Sequence, residues 1–180
     1  MSKSLVERIR NHDQRAMSEL YHQYVERLSS VCYRYVPMES DAKDVLQNSF
    51  IKIFKAMQSF EYRDQPSFEG YMTRVVVNES LRFLQNRKKL LYVDLQEITS
   101  LQTDDEEPDT ERITADELHQ LISELPDGCR TVLNLYVFEG FPHIKIAELL
   151  CIKEATSWKQ LYNAKWLLKQ KMMDLMNRRQ

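Results

Sequence analysis

Apolar residues recur every three or four positions along much of the first half of the chain, which is the spacing of one face of an α-helix. The clearest run comprises Leu20, Tyr24, Leu28, Val31 and Tyr35. Asp13 is a suitable N-cap upstream of this run, and Pro37 ends it because proline cannot continue an α-helix. The pattern therefore predicts one long amphipathic helix between these two residues.

Two more helices are predicted in the same region. Ser40 or Asp41 is a suitable N-cap for a second helix. Its apolar side comprises Val45, Leu46, Ser49, Phe50, Ile53, Phe54 and Met57. A break over 61–66 precedes a third helix over about 67–87, which ends in the basic run 87–89. The first part of the chain is therefore predicted to be a three- or four-helix bundle.

Shorter helical patterns fill the last third of the chain. A helix over 111–125 precedes Pro126 and Asp127, which are suited to start another helix. The buried side of that helix is predicted to comprise Leu133, Leu135, Tyr136 and Val137. A short helix over 143–150 and a longer one over 154–176 follow, and about three residues separate them. This spacing is typical of a DNA-binding helix-turn-helix, although any helical hairpin shares it.

Composition supports an all-α fold. The 180 residues include only three Gly, and eight Met accompany many Leu, Glu, Lys and Gln, which are good helix formers. No apolar run approaches the roughly 18 to 20 residues that a membrane span needs, so no direct membrane insertion is expected. The three cysteines are odd in number and widely spaced, which favours reduced thiols in a cytoplasmic protein over a disulfide framework.

Charge divides the chain into three blocks. Residues 1–93 carry 15 Lys and Arg against 11 Asp and Glu, a net charge of +4. Residues 94–117 carry one against 10, a net charge of −9, and residues 118–180 carry nine against six, a net charge of +3. We therefore predict an N-terminal helical domain over 1–93, a flexible acidic linker over 94–117 and a C-terminal domain over 118–180.

Enzyme chemistry finds no support in the motifs. None of His12, His22, His119 and His143 has a Cys or carboxylate partner at metal-ligand spacing. The chain has no Walker loop, no GxSxG elbow and no CxxC pair. We therefore expect no catalytic residue, no metal, no cofactor and no small-molecule substrate.

Four segments resemble the bacterial sigma factors of the extracytoplasmic-function (ECF) group. They are residues 41–54, 67–84, 125–136 and 144–150, and they occur in the order that the family has. The resemblance covers most of both basic blocks, with the acidic stretch where the family has a linker. It implies a two-domain initiation factor that binds core RNA polymerase, recognises promoter DNA through both domains and helps to melt the minus-ten element.

The second predicted helix resembles the one that docks on the polymerase clamp in the family. Asp41, Asp44 and Gln47 lie at three-residue steps on one side of it, a usable strip for Arg and Lys of a partner. The predicted core-binding residues are Asp41, Asp44, Gln47, Asn48, Ile51 and Lys52. A solvated helix face is the alternative. Asn48 stands where the family usually has an acidic residue, which would weaken one contact.

The third helix and the break before it resemble the promoter-opening segment of the family. The resemblance assigns Phe60 and Asn78 to a pocket for a flipped base, and Tyr71 replaces the family's common Trp. Basic residues nearby are suited to phosphate contacts. The predicted minus-ten residues are Phe60, Tyr71, Arg74, Asn78, Arg82, Arg87 and Lys88. Phe60 and Tyr71 also fit an ordinary core position.

The last helix resembles the one that reads the minus-thirty-five element in the major groove. The predicted contact residues are Thr156, Trp158, Lys159, Tyr162, Asn163 and Lys165. Trp158 suits a DNA contact or a core position equally. Cys151 stands where the turn usually has Gly, and a non-Gly residue at positive φ costs on the order of 1 kcal/mol.

The resemblance also implies regulation, because relatives are commonly held inactive by an anti-sigma factor. A sigma-like interaction module without productive promoter recognition is one alternative, and Asn48, Cys151, Trp158 and Asn163 motivate it. A helix-turn-helix repressor that acts without polymerase is another. The acidic linker is expected either to thread the polymerase channels or to serve as a solvated tether.

Overall fold

A computed structural model describes residues 3–87 and 113–179. These residues form eight α-helices and no strand, so the predicted all-α fold is confirmed. The chain divides into two compact units, Met1–Asn86 and Arg87–Gln180, here called the first and second unit. The path predicted for the acidic linker, together with Lys88 and Lys89, lies outside the described residues.

The first unit contains four helices. They are α1 (Lys3–Arg10), α2 (Gln14–Tyr35), α3 (Glu39–Ala56) and α4 (Gln65–Asn86). The predicted cap at Asp13 is confirmed, since its carboxylate accepts hydrogen bonds from the backbone N–H groups of Arg15 at 2.9 Å and Ala16 at 3.3 Å. The cap predicted at Ser40 or Asp41 is wrong. Met38 is the N-cap, and α3 begins at Glu39 because its acidic first turn suits the helix dipole.

Helices α2, α3 and α4 pack against one another around an apolar core. Tyr35, Phe68, Leu20, Ile53 and Met72 are among its largest fully buried side chains. Helix α1 packs on α2 and buries its own apolar side, comprising Leu5, Val6 and Ile9. The unit is therefore a four-helix bundle, the larger of the two sizes predicted.

The second unit also contains four described helices. They are α5 (Ala115–Ser123), α6 (Asp127–Val137), α7 (His143–Leu150) and α8 (Glu154–Asn177). Thr114 and Glu117 form a reciprocal capping box at the start of α5, so this helix begins inside the predicted linker range. Helix α8 packs on α5, α6 and α7, which makes it the central element of the unit.

Gly128, near the start of α6, lies against the side-chain amide of Gln160 on α8. A Cβ at this position would lie 2.7 Å from Nε2 of Gln160 on α8, closer than side chains normally approach. The buried side of α6 includes Leu133 and Leu135 as predicted. The same prediction for Tyr136 and Val137 is wrong, because α6 turns these two side chains outward at its end.

The turn between α7 and α8 has the geometry that the sequence predicts. Cys151 adopts φ 54° and ψ 42°, the left-handed region that favours glycine. The backbone N–H of Ile152 donates to the carbonyl oxygen of Ala147 at 3.0 Å, which closes the end of α7. The second unit therefore contains a helix-turn-helix with a strained residue at its turn.

Within residues 3–87 and 113–179, no helix combines the length and the apolar character that a membrane span requires.

Candidate functional site

The predicted core-binding strip lies on the outer side of α3. Asp44, Gln47, Asn48, Ile51 and Lys52 are exposed, and Asp41 is half-buried. Ile51 is 44% exposed, which is high for a large aliphatic residue. The strip therefore offers acidic, amide and apolar groups side by side, a combination suited to a protein partner.

A groove of about 420 Å³ separates this strip from α4. Asp44, Asn48 and Ile51 line its α3 side, and Arg82 and Phe83 line its α4 side. Lys52 crosses the groove and forms an ion pair with Glu79 of α4, whose side chain is only 13% exposed. Lys52 is therefore committed to a partner within the unit, and its predicted contact with polymerase stays a prediction.

Phe60 lies in an aromatic cluster at the start of α4. Its ring is tilted against that of Tyr71 at a centroid distance of 4.9 Å and contacts Phe68 edge-on at 5.4 Å. Phe68 is fully buried, whereas Phe60 and Tyr71 are half-buried. Burial raises the pKa of the Tyr71 hydroxyl above its usual value. The two rings thus form a partly open aromatic surface on a rigid base.

Arg10 fixes the loop that carries Phe60, a role that the sequence predictions missed. Its guanidinium donates to the carbonyl oxygen of Phe60 at 2.7 Å and to that of Met57 at 3.3 Å. These bonds connect the end of α1 to the loop between α3 and α4. The helical spacing of Leu5, Val6 and Ile9 was the signal for α1, although nothing local indicates the target of Arg10.

A polar stripe continues from Tyr71 along α4. Arg74, Asn78 and Arg82 are exposed at four-residue steps, so they lie on one side of the helix. Arg87 is exposed just beyond the end of α4. The predicted minus-ten residues of the first unit therefore lie at the Phe60 loop or along this stripe, and their contact with DNA stays a prediction.

The N-terminal half of α8 places most of the predicted minus-thirty-five residues outward. Trp158, Lys159, Tyr162 and Lys165 are exposed, and Thr156 is half-buried. Asn163 is only 3% exposed. Its predicted DNA contact is therefore corrected, because the side of α8 that bears Asn163 is packed into the unit.

Three stacked rings join α6, α7 and α8 beside this surface. His143 lies between Tyr136 and Trp158, with centroid distances of 4.8 Å and 3.8 Å. Its Nδ1 lies 2.8 Å from Oγ of Ser157, within hydrogen-bonding distance. Burial lowers the pKa of His143. Two smaller effects oppose each other, since Glu154 raises this pKa and Lys165 lowers it. No local pattern predicts this stack, because its members lie on three different helices.

Among the described residues, no three His, Cys, Asp or Glu side chains lie close enough to one another to bind one metal ion. The candidate site therefore comprises three surfaces: the α3 strip, the Phe60 cluster with the α4 stripe, and the outer side of α8. All three present polar, basic or aromatic groups, as binding to a protein and to nucleic acid requires.

Comparison with known protein families identifies this class of protein. Residues 20–90 match Sigma-70 region 2, and residues 115–168 match Sigma-70, region 4. The chain belongs to the sigma-70 family, in its extracytoplasmic-function group, and is a factor that directs promoter-specific initiation of transcription. Core RNA polymerase and promoter DNA are the partners that this membership implies. Members of the family are initiation factors and not catalysts.

Similar proteins match along almost the whole chain. The ECF RNA polymerase sigma-E factor of Haemophilus influenzae is 27% identical over an alignment of 189 positions, which covers 97% of this chain and 96% of the relative. The factor of the same name from Salmonella typhimurium is 29% identical over 185 residues, with 97% and 95% covered. A solved structure, that of CnrH in complex with the cytosolic domain of CnrY, is 17% identical, with a TM-score of 0.47 and 95% and 96% covered.

Proposed function

We propose that each of the three surfaces has its own task in initiation. The α3 strip docks on core polymerase, the Phe60 cluster and α4 stripe hold the unpaired minus-ten element, and the outer side of α8 reads the minus-thirty-five element. The chain performs no chemistry of its own. The observation that supports this best is the half-open Phe60 and Tyr71 pair at the head of a stripe of Arg and Asn.

Promoter melting needs a place for a base that has left the stack. Unstacking costs a few kcal/mol, and stacking on an aromatic side chain returns about 1–3 kcal/mol per base. Phe60 and Tyr71 supply ring faces, and Asn78 lies about two helical turns along α4 with donor and acceptor groups for a base edge. These groups suit the capture of a base better than the contact of an intact duplex.

Phosphate contacts then hold the strand along α4. Arg74 and Arg82 flank Asn78 on the same side of the helix, and Arg87 extends the basic path. Such contacts are independent of sequence and weaken as salt increases. They position the strand, while the aromatic pair and Asn78 supply selectivity.

Binding to core polymerase is tested first, by co-elution of the chain with sigma-free enzyme. We expect tight binding by the wild type and loss in an Asp44→Arg, Gln47→Ala variant, because both side chains are exposed on α3. Glu26→Arg is the matched control, a charge reversal at an exposed position of α2. If wild-type chain that is folded does not co-elute, the assignment of the α3 strip fails.

Promoter opening is tested with holoenzyme and permanganate, which oxidises unpaired thymines. On a promoter supplied as a fully paired duplex, Phe60→Ala and Tyr71→Ala are each expected to lower the permanganate reactivity of the minus-ten thymines at least about tenfold. This is the equivalent of one lost stacking contact. A template with an unpaired minus-ten segment should recover part of this loss, because its bases are already unstacked. Tyr33→Ala, an exposed aromatic on α2, is the control. Normal opening by both variants would refute base capture by this pair.

Regulation by an anti-sigma factor is also proposed, in the cytoplasm where the polymerase acts. Val137, Phe138 and Ile144 expose large apolar side chains on the second unit, between 42% and 60% of their area. A protein that covers them would bury apolar surface and limit access to the unit. The test is a search for a stoichiometric inhibitor of transcription that co-purifies with the chain, and its absence would count against this part of the proposal.

A further inference from the structure

The His143 ring makes more specific contacts than a helix start requires. It is the first residue of α7, it is only 4% exposed, and it lies between the rings of Tyr136 on α6 and Trp158 on α8. The interplanar angles of 25° and 29° make both contacts stacked. One side chain therefore joins both helices of the helix-turn-helix, α7 and α8, to α6.

Two consecutive residues of α8 contact different parts of this ring, one its edge and the other its face. Ser157 is fully buried and its Oγ lies 2.8 Å from Nδ1, so it fixes the edge of the ring. Trp158 lies against the face of the ring at 3.8 Å. A hydrogen bond in the plane and a stacking contact across it together restrict both rotation and tilt of α8 relative to α7.

The stack also lies at the head of the surface that α8 would present to DNA. Trp158, Tyr162 and Lys165 follow one another at four- and three-residue steps, so they form one stripe along the helix. His143 covers one face of Trp158, which still leaves 56% of this residue exposed. A change in the stack would therefore move the stripe that carries Tyr162 and Lys165.

We propose that His143 is a positioning residue that sets the angle at which α8 presents its stripe to promoter DNA. This inference rests on the proposed role of α8 in reading the minus-thirty-five element. His143 itself contacts no base, and Tyr136, which lies on α6, shares its role. Trp158 connects the stack to the stripe, and its predicted contact with DNA stays a prediction.

The test uses holoenzyme and a duplex recovered from a random-sequence pool by the wild-type protein. The measured quantity is the ratio of its affinity to that of the same duplex with a scrambled upstream element. His143→Gln, which keeps polar atoms but removes the ring, should lower this ratio about tenfold, the discrimination of roughly one base pair. His143→Phe, which keeps a ring, should stay within about threefold of the wild type.

A second variant separates positioning from direct contact and from misfolding. Tyr136→Leu removes one outer ring at a half-exposed position of α6, away from the stripe, and should lower the ratio as well. Protection of the buried Cys129 from a thiol reagent shows that the second unit is folded in each variant. If His143→Gln does not fold, the effect of Tyr136→Leu on the ratio decides.

Fluorescence of Trp158 reports on the stack directly. In a Trp166→Phe background Trp158 is the one remaining tryptophan, and the His143 ring covers one face of it. His143→Gln should therefore shift the emission to longer wavelength, because that face becomes exposed to water, whereas His143→Phe should leave it near the wild-type position. A merely structural role for His143 in folding predicts no such change in a folded protein.

Three results would overturn the inference. They are an unchanged affinity ratio in folded His143→Gln or Tyr136→Leu, an equal loss in His143→Phe and His143→Gln, and an unchanged position of the Trp158 emission in folded His143→Gln. Failure of the proposed function would give a different result, because the wild type itself would then bind both duplexes equally. In that case the inference about DNA falls too, while the fluorescence still shows whether the rings stack.

Discussion

The first unit buries an almost wholly apolar core, whereas the second unit builds its core partly from polar side chains. In the described part of the first unit the buried polar residues are Ser49 and Ser80. Each donates to a carbonyl oxygen of its own helix, at 2.7 Å and 2.8 Å. The buried polar residues of the second unit are Arg130, Thr131, Asn134, His143, Ser157, Gln160 and Asn163.

This difference suggests a division between stability and geometry. Apolar contacts stabilise without fixing direction, which suits a bundle that carries its functional groups on its surface. Polar contacts are directional, and buried ones help to define one arrangement of helices when their partners are in place. Burying polar groups costs free energy that their hydrogen bonds only partly return, and among the described residues the second unit buries seven polar side chains against two in the first. We therefore expect the second unit to be the less stable one.

Native-state thiol labelling compares the two units directly, because each contains one buried cysteine. Burial raises the pKa of both Cys32 and Cys129 to about 11, from an ordinary value of 9.0, so little thiolate exists at neutral pH. We expect both to react at least about a thousandfold more slowly than the exposed Cys151, since labelling needs local or global opening. Mass spectrometry of the labelled peptides over time measures the three rates.

The comparison predicts that Cys129 is labelled faster than Cys32. The pH dependence of stability also has a defined sign, because a raised pKa in the folded state means that the same thiols ionise first in the unfolded state. The free energy that the two buried, neutral thiols contribute to folding is complete below pH 9 and is lost as the pH rises toward 11. Equal rates for the two buried thiols would contradict the idea that the polar core weakens the second unit.

Arg130 is the polar core residue whose loss should cost most. It is 4% exposed, pairs with Asp127, and donates to the carbonyl oxygens of Leu125 at 2.7 Å and Ser123 at 3.1 Å. These bonds join the end of α5 to the start of α6. Arg130→Met should lower the free energy of unfolding by about 2 kcal/mol, because partly buried acceptors lose their donor. Chemical denaturation followed by circular dichroism measures this.

Lys171→Met is the matched control in the same unit. Lys171 pairs with Glu124 at 2.6 Å, but both side chains are about one third to one half exposed. This change should cost less than about 1 kcal/mol, as is usual for ion pairs near the surface. Similar losses for the two variants would mean that burial of Arg130 adds nothing.

A stabilising change is expected at the turn of the helix-turn-helix. Cys151→Gly should raise the free energy of unfolding by up to about 1 kcal/mol, because glycine adopts positive φ without the Cβ conflict. Cys151→Ala removes the thiol but keeps the Cβ, so it should give no gain. A similar gain in both variants would show that the thiol, and not the backbone, is unfavourable.

Local features of the fold could be predicted from the sequence, since their causes lie within a few residues. The cap at Asp13, the end of α2 before Pro37 and the left-handed turn at Cys151 are examples. Burial was harder to predict, because it depends on how helices pack. Asn163 and Tyr136 show this, since one is buried and the other exposed against expectation. The Arg10 contact and the His143 stack join distant parts of the chain and gave no sequence signal.

The smallest expected effect, at Lys52 and Glu79, is the one that distinguishes two roles for the predicted core-binding strip. The pair connects the α3 strip to α4, one residue from Asn78. Lys52→Glu and Glu79→Lys should each lower stability by less than about 1 kcal/mol, since Lys52 is partly exposed. The double variant should recover at least half of that loss, because the opposite charges are restored with their positions exchanged.

The same variants separate a contact with polymerase from support of α4. If Lys52 supports α4, single variants should bind core polymerase normally and open promoters less well, and the exchange should restore opening. If Lys52 contacts polymerase, both Lys52→Glu and the exchanged pair should bind core more weakly, because the positive charge has left α3. Co-elution and permanganate reactivity on one set of proteins measure the two steps. Since Lys52 already forms an ion pair within the unit, we expect normal core binding and weaker promoter opening in the single variants. The groove between α3 and α4 would then link core binding to promoter opening.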